Sequence, residues 1–194
     1  MKYDLAKKRT QGAQRTLDDF SNAMFLLLSE KSFDDINVKE ICNAVNYPRS
    51  TFYNYFDDKY DLLNYCWHVL SLGIKLDEYE ELPKDDLLSI YLERIYDMLA
   101  VKQEKLNKIL FCNGLNSTLT SSLRLYLQKR MREIFYTYAE ICRSKIKGRI
   151  PLELLADHYC NTLLLVLEWV FFRQNTATKE ETLNYLTYLL ENFQ

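Results

Sequence analysis

Apolar residues recur along this chain at i, i+3, i+4 and i+7, which predicts helices throughout. Phe20, Met24, Leu27 and Leu28 mark a first helix, expected from Thr16, with Asp19 three residues on in capping-box position, to near Glu30. Val38, Ile41, Cys42 and Val45 mark a short second one, with Asn37 as its N-cap and Glu40 completing a capping box. After a three-residue break, Phe52 and Phe56 share one face of another short helix, and Phe33 and Ile36 are expected in the same small core. A helix from Lys59 into the seventies follows, capped by Asp57 or Asp58, with Leu62, Leu63, Cys66, Val69 and Leu70 inward and Gly73 weakening its end.

Leu82-Pro83 marks a boundary. Beyond it, helices are expected over Lys84 to Val101, Gln103 to Cys112 and Ser117 to Lys147, with Asn113-Gly114 and Gly148 as stops. Residues 151 to 174 carry two apolar stripes, Leu152, Leu155, Tyr159, Leu163, Val166 and Val170 on one and Leu165, Trp169 and Phe172 on the other. The last helix, capped by Thr178 and Glu181, has Leu183, Leu186, Leu190 and Phe193 beside Tyr185, Tyr188 and Leu189. The fold class is therefore all-α, with about nine helices. A surface helix needs one apolar stripe, so two imply deep burial or a second helix pair docked outside. In a chain of 194 residues docking is the favoured reading: two copies of the last helix pair form a four-helix bundle about a two-fold axis, with Leu165, Trp169, Phe172, Tyr185, Tyr188 and Leu189 in the interface.

The segment Pro48 to Lys59 carries the chemistry. Two short helices with a sharp turn between them have the layout of a helix-turn-helix, and Asn46 is a residue type that tolerates the left-handed conformation of such a turn. With Phe52 and Phe56 packed down, Arg49, Ser50, Tyr53 and Asn54 face outward. Arg pairs bidentately with guanine and Asn with adenine, while Ser and Tyr hydroxyls reach phosphates or base edges. An exposed helix bearing these groups suits a major groove.

Residues from about Thr16 to Leu63 resemble the DNA-binding domain of the TetR family of bacterial transcription regulators. The matching elements are Ile36-Asn-Val-Lys-Glu-Ile41, Arg49-Ser-Thr-Phe-Tyr53, Tyr55-Phe56, Asp58-Lys59 and Leu62-Leu63, in order and correctly spaced. The resemblance implies base contacts from Arg49, Ser50 and Asn54, and phosphate contacts from Thr51, Tyr53, Tyr55, Lys59 and Lys39. It departs from the family pattern at three places: Asn46 replaces the turn glycine, Pro48 replaces the capping Ser, Thr or Asn, and Tyr55 replaces the commoner His. Leu167-Glu-Trp169 and the capped last helix resemble a C-terminal type found among Firmicute members, and the family dimerises through this region. The implied organisation is a basic arm over 1–15, a helix-turn-helix domain over 16–60, a connecting helix and linker over 61–82, and a helical ligand-binding and dimerisation domain over 83–194.

Charge adjusts this picture without overturning it. The chain is −2 overall, but its first 17 residues set Lys2, Lys7, Lys8, Arg9 and Arg15 against Asp4 alone, a net of +4 that leaves −6 for the rest. A basic arm on an acidic body is compatible with local phosphate binding, although a solvated tail has the same composition. Five scattered cysteines with no CxxC pair read as reduced, buried thiols, with a redox sensor as the lesser alternative, and no metal or cofactor is expected. The charged first ten residues are not those of a signal peptide, and the run Leu163 to Phe172 is short for a membrane span, so the expected location is the cytoplasm.

The resulting expectation is a homodimeric repressor that binds a palindromic operator through Pro48–Tyr55, released by a small-molecule effector. Tyr91, Ile95, Tyr126, Tyr138 and Tyr159 are the pocket candidates, against the alternative that they are ordinary aromatic core. The competing function is a TetR-like co-regulator or activator that works through a protein partner without a ligand. An enzyme is disfavoured: His68 and His158 stand alone, and neither a nucleophile elbow nor a phosphate loop is present.

Overall fold

The computed structural model describes residues 10–83, 86–142 and 150–191. Among them are nine α-helices and no strand: α1 (Gln11–Leu28), α2 (Val38–Ala44), α3 (Arg49–Tyr55), α4 (Lys59–Gly73), α5 (Leu87–Val101), α6 (Gln103–Asn113), α7 (Thr118–Cys142), α8 (Leu152–Leu167) and α9 (Lys179–Glu191). Short 3-10 turns occupy Phe33–Asp35 and Leu76–Glu81. Residues 1–9 of the basic arm, the helix start expected at Lys84 and the stop at Gly148 lie outside the described residues.

The chain forms two compact units, one of residues 1–70 with 104–120, the other of 71–103 with 121–194. The first thus takes α6 and the start of α7 from beyond the boundary expected at Pro83. Its core is Leu17, Phe20, Met24, Leu28, Phe33, Ile36, Ile41, Phe52, Phe56 and Leu62, all essentially inaccessible to solvent. Rings dominate the centre: Phe20 meets Phe52 edge-on at 5.4 Å and Phe56 at 6.1 Å, and Phe52 meets Phe56 at 5.4 Å.

α1 begins five residues before the expected Thr16, which removes residues 11–15 from the arm. Thr10 is the cap, its hydroxyl accepting from the Ala13 amide at 3.2 Å, whereas Thr16 lies within the helix and donates to the Gly12 carbonyl at 3.0 Å. Thr10 is followed by no acidic residue three positions on, so it lacks the box signature that Thr16 shows.

In the second unit α8 and α9 pack on each other and on α5. Thr178 and Glu181 form a full capping box on α9, through Glu181 N to Thr178 Oγ1 at 3.2 Å and Thr178 N to Glu181 Oε2 at 2.7 Å. Lys179 bonds Asp97 at 3.0 Å and Tyr96 donates to the Ala177 carbonyl at 2.9 Å, which fastens the start of α9 to α5. The C-terminal end of α8 runs into a π turn, Glu168–Phe172, closed by the Arg173 amide on the Glu168 carbonyl at 2.9 Å. The wider turn changes the expected phase. Val170 and Phe171 both enter the core, Phe171 with its ring 5.1 Å from that of Tyr96, while Phe172 is only half-buried.

Glu153–Phe172 is long and apolar enough, by length and composition alone, to cross a membrane. Of its apolar residues, Leu163, Val166, Leu167, Val170 and Phe171 are buried, whereas Leu154, Leu165 and Trp169 are exposed, and its acidic groups pair with neighbours, Asp157 with Arg132 at 2.6 Å and Glu168 with Arg173 at 3.1 Å.

Candidate nucleic-acid interface

The helix-turn-helix is built from local rules that the sequence states plainly. Asn37 and Glu40 form the capping box of α2, each side chain bonded to the other's amide at 3.1 Å. Glu40 also receives a bond from Lys31; that bond, with the Asn37 amide next in importance, holds its carboxyl below the usual range. At the far end Asn46 adopts φ 55°, left-handed as expected. The Asn46 amide reaches the Asn43 carbonyl at 3.2 Å and the Tyr47 amide reaches that of Cys42 at 3.0 Å. This is a Schellman closure without glycine. Pro48 then opens α3 with no side-chain cap, as its chemistry requires.

Phe52 is fully buried and orients α3. Its outer face presents Arg49, Ser50 and Asn54, all exposed, with Tyr53 at 44 % exposure. Thr51 and Tyr55 are half-buried along its flanks, and Lys39 is exposed on α2. The three residues expected to read bases therefore share one solvent-facing side of a seven-residue helix.

Lys59 does something else. Its Nζ donates to the carbonyls of Phe33, Asp34 and Ile36 at 2.9, 2.9 and 2.8 Å and lies 4.7 Å from the centre of the Phe33 ring. An ammonium has three protons, and all three are engaged here by backbone. The side chain expected on phosphate is thus directed into the protein, where it ties α4 to the turn before α2. Replacing Lys59 with Met, which keeps the stem, should lower unit stability by about 1–3 kcal/mol and leave the salt dependence of DNA binding unchanged. A loss of about one counterion from the salt slope, with an unchanged unfolding midpoint, would return Lys59 to the phosphates.

One support escaped the sequence pattern. Tyr47 donates to Asp19 Oδ2 at 2.9 Å and stacks obliquely on Phe20 at 5.5 Å, which binds the turn to α1. Its place directly after the left-handed residue was the available signal. Asp58, of the two candidates, caps α4, accepting from the amides of Tyr60 and Asp61 at 2.9 Å.

Residues 25–66 match the model of the bacterial regulatory proteins of the tetR family. That span runs from within α1 to within α4 and contains the whole capped, left-handed turn. Residues 25–66 form a TetR-family N-terminal domain. No curated protein matches the sequence. Solved structures extend the likeness in fold over most of the chain. A protein of Syntrophomonas wolfei assigned to the TetR-family transcriptional regulators is 20% identical, with 91% of this chain and 93% of that one covered and a TM-score of 0.66. A TetR transcriptional regulator from Streptococcus agalactiae is 22% identical over 90% and 93%, with a TM-score of 0.63. The dihydroxyacetone kinase operon activator DhaS is 15% identical over 91% and 94%, with a TM-score of 0.55.

The TetR-type head is a DNA-binding module, and the remaining candidates lie elsewhere in the chain. Tyr91 and Ile95 on α5 are buried, and the Tyr91 hydroxyl donates to the Leu76 carbonyl at 2.9 Å. Tyr126 on α7 shares a hydrogen bond with Ser71 at 3.0 Å, and Tyr159 on α8 is half-buried beside His158. Tyr91 and Ile95 thus stand as core residues, the alternative held open above; the Tyr138 side chain lies outside the described residues. Of the interface candidates, Leu165, Trp169, Tyr185 and Tyr188 are 51, 48, 41 and 68 % exposed, and Phe172 and Leu189 are half-buried.

Cys42, Cys66 and Cys160 are buried and behave as packing residues. Burial pushes the Cys66 and Cys160 thiols up to about 12 and also raises Cys42, against the opposing charge of Arg49. Among the described residues no group of His, Cys, Asp or Glu is placed to hold a metal ion.

Proposed function

We propose that this chain is a homodimeric, sequence-specific regulator of transcription that binds a two-fold symmetric operator through α3. The observation that carries the reading is the outward row Arg49, Ser50 and Asn54, presented by a helix whose other face, Phe52, is locked in the core. Dimerisation through α8 and α9 is supported by four large apolar or aromatic side chains that this chain leaves between 41 and 68 % exposed on those two helices and the π turn. Two heads then meet major grooves about one helical turn, ~34 Å, or a near multiple apart. Repression follows where such a dimer occludes a promoter. Activation is the second reading, favoured by the activator DhaS among the structures of like fold.

In the effector reading, a ligand would act by favouring one head spacing over another. Tyr126 and Tyr159, half-buried on α7 and α8, are the candidates left to line its site.

Arg49→Ala tests the base-reading assignment. One good bidentate pair discriminates by about 1–3 kcal/mol, so affinity for the selected operator should fall roughly tenfold or more, with preference relaxed at one position of each half-site. Unfolding and sequence-blind binding should not change. An equal fall for every sequence would assign Arg49 to phosphate instead.

A further inference from the structure

A side chain far from the helix-turn-helix in sequence closes the connection that leads into it. α1 ends at Leu28 and α2 begins at Val38, and the chain between them folds through the 3-10 turn Phe33–Asp35. The last carbonyls of a helix and the first amides of the next element need partners from elsewhere. Those of Leu26 and Leu27 are met locally, by the amides of Ser29, Glu30 and Lys31. The Leu28 carbonyl and the Phe33 amide are met by one residue, Asn113 at the end of α6, whose Nδ2 donates to Leu28 at 3.1 Å and whose Oδ1 accepts from Phe33 at 2.8 Å. Nδ2 also donates to the Ile109 carbonyl of its own helix at 2.9 Å, which fixes the orientation of the amide.

Phe33 is thereby held at both ends of its backbone. Asn113 takes its amide, Lys59 takes its carbonyl, and its side chain is 1 % exposed with the ring edge-on to Tyr60 at 5.2 Å. Thr118, donating to Asp34 Oδ2 at 3.2 Å, and Cys112, with its sulfur 3.7 Å from the Ser29 carbonyl, add contacts on either side. Ile36, whose carbonyl Lys59 also holds, immediately precedes Asn37, the cap of α2. The position of the turn therefore sets where α2 starts, and α2 passes that setting to α3 through the closed turn at Asn46.

We propose that Asn113 is a positioning residue for DNA binding: it locks the 310 turn from α6 and so fixes the placement of the α2–α3 pair, a role that rests on the DNA-binding reading above. Lys59 is its counterpart on α4. A carboxamide suits the task because it offers an acceptor and two donors in one plane.

The test uses the full chain as wild type, Asn113→Leu, Asn113→Asp and the surface control Lys108→Ala, with two readouts. Asn113→Leu leaves the Leu28 carbonyl and the Phe33 amide without that partner, so amide exchange at Phe33 should accelerate about tenfold or more. Affinity for a DNA fragment selected by the wild type should fall about tenfold with the salt slope unchanged, because no phosphate contact is removed. Asn113→Asp keeps the acceptor for Phe33 and loses the donor, and should fall between the two. Lys108→Ala should match the wild type. Wild-type exchange at Phe33 in Asn113→Leu overturns the lock, and faster exchange with undiminished operator affinity overturns the positioning role. If the wild type itself selects no specific DNA, the DNA reading and the positioning role fall together; a failure of Asn113 alone leaves the wild type binding.

Discussion

Phe20→Ala should strongly destabilise the N-terminal unit and weaken DNA binding with it. Phe20 has no exposed surface and touches Tyr47, Phe52 and Phe56, so it joins α1 to the turn, to the outward-facing helix and to the residue that closes that helix. Replacing a buried Phe by Ala costs about 3–5 kcal/mol. Domains of ordinary stability hold only about 5–15 kcal/mol in reserve, and this unit is small. Thermal unfolding followed by circular dichroism should show an earlier transition attributable to this unit, with the second unit's helices retained. A wild-type midpoint would mean that the ring cluster is not what holds the head together.

Trp169→Glu should yield monomers. The π turn leaves Trp169 48 % exposed on the same segment as Leu165, with Tyr185 and Tyr188 exposed on α9. A carboxylate placed where two such faces meet is left desolvated or keeps the faces apart, and either outcome costs several kcal/mol. Sedimentation should report a single chain, and operator affinity should fall by a hundredfold or more because the second half-site is no longer tethered. Because Trp169 is already half-exposed, the fold should survive the change. A variant that remains dimeric would place the interface elsewhere.

What was legible in the sequence was local. The capping box of Asn37 and Glu40 and the box of Thr178 and Glu181 depend on residues three apart, the left-handed Asn46 and the uncapped Pro48 on the residue type itself, and each is found in the structure. The same holds for α3, where Phe52 turns inward and Arg49, Ser50 and Asn54 turn out as helical spacing requires. What escaped was set by partners distant in sequence. Nothing near Lys59 announces that its ammonium meets three carbonyls some two dozen residues upstream, and nothing near Asn113 points to a turn 80 residues away. The π turn escaped for a related reason: a helical wheel assumes a constant period, and one wider turn moves Phe171 inward and draws Phe172 partly out of the outer stripe. Thr16, with Asp19 three residues on, carries the stronger box signature, yet Thr10 is the residue whose hydroxyl bonds the first turn.

The central claim is that α3 reads a two-fold symmetric sequence. Selection of bound fragments from a random DNA library with the purified full-length protein, at one stated moderate salt concentration, tests it most directly. The account predicts a palindromic consensus whose half-sites lie about one helical turn, or a near multiple, apart, and whose specificity Arg49→Ala relaxes at one position in each half. Recovery of fragments with no common sequence, bound only in proportion to low salt, would contradict it and would favour a regulator that reaches its promoter through another protein.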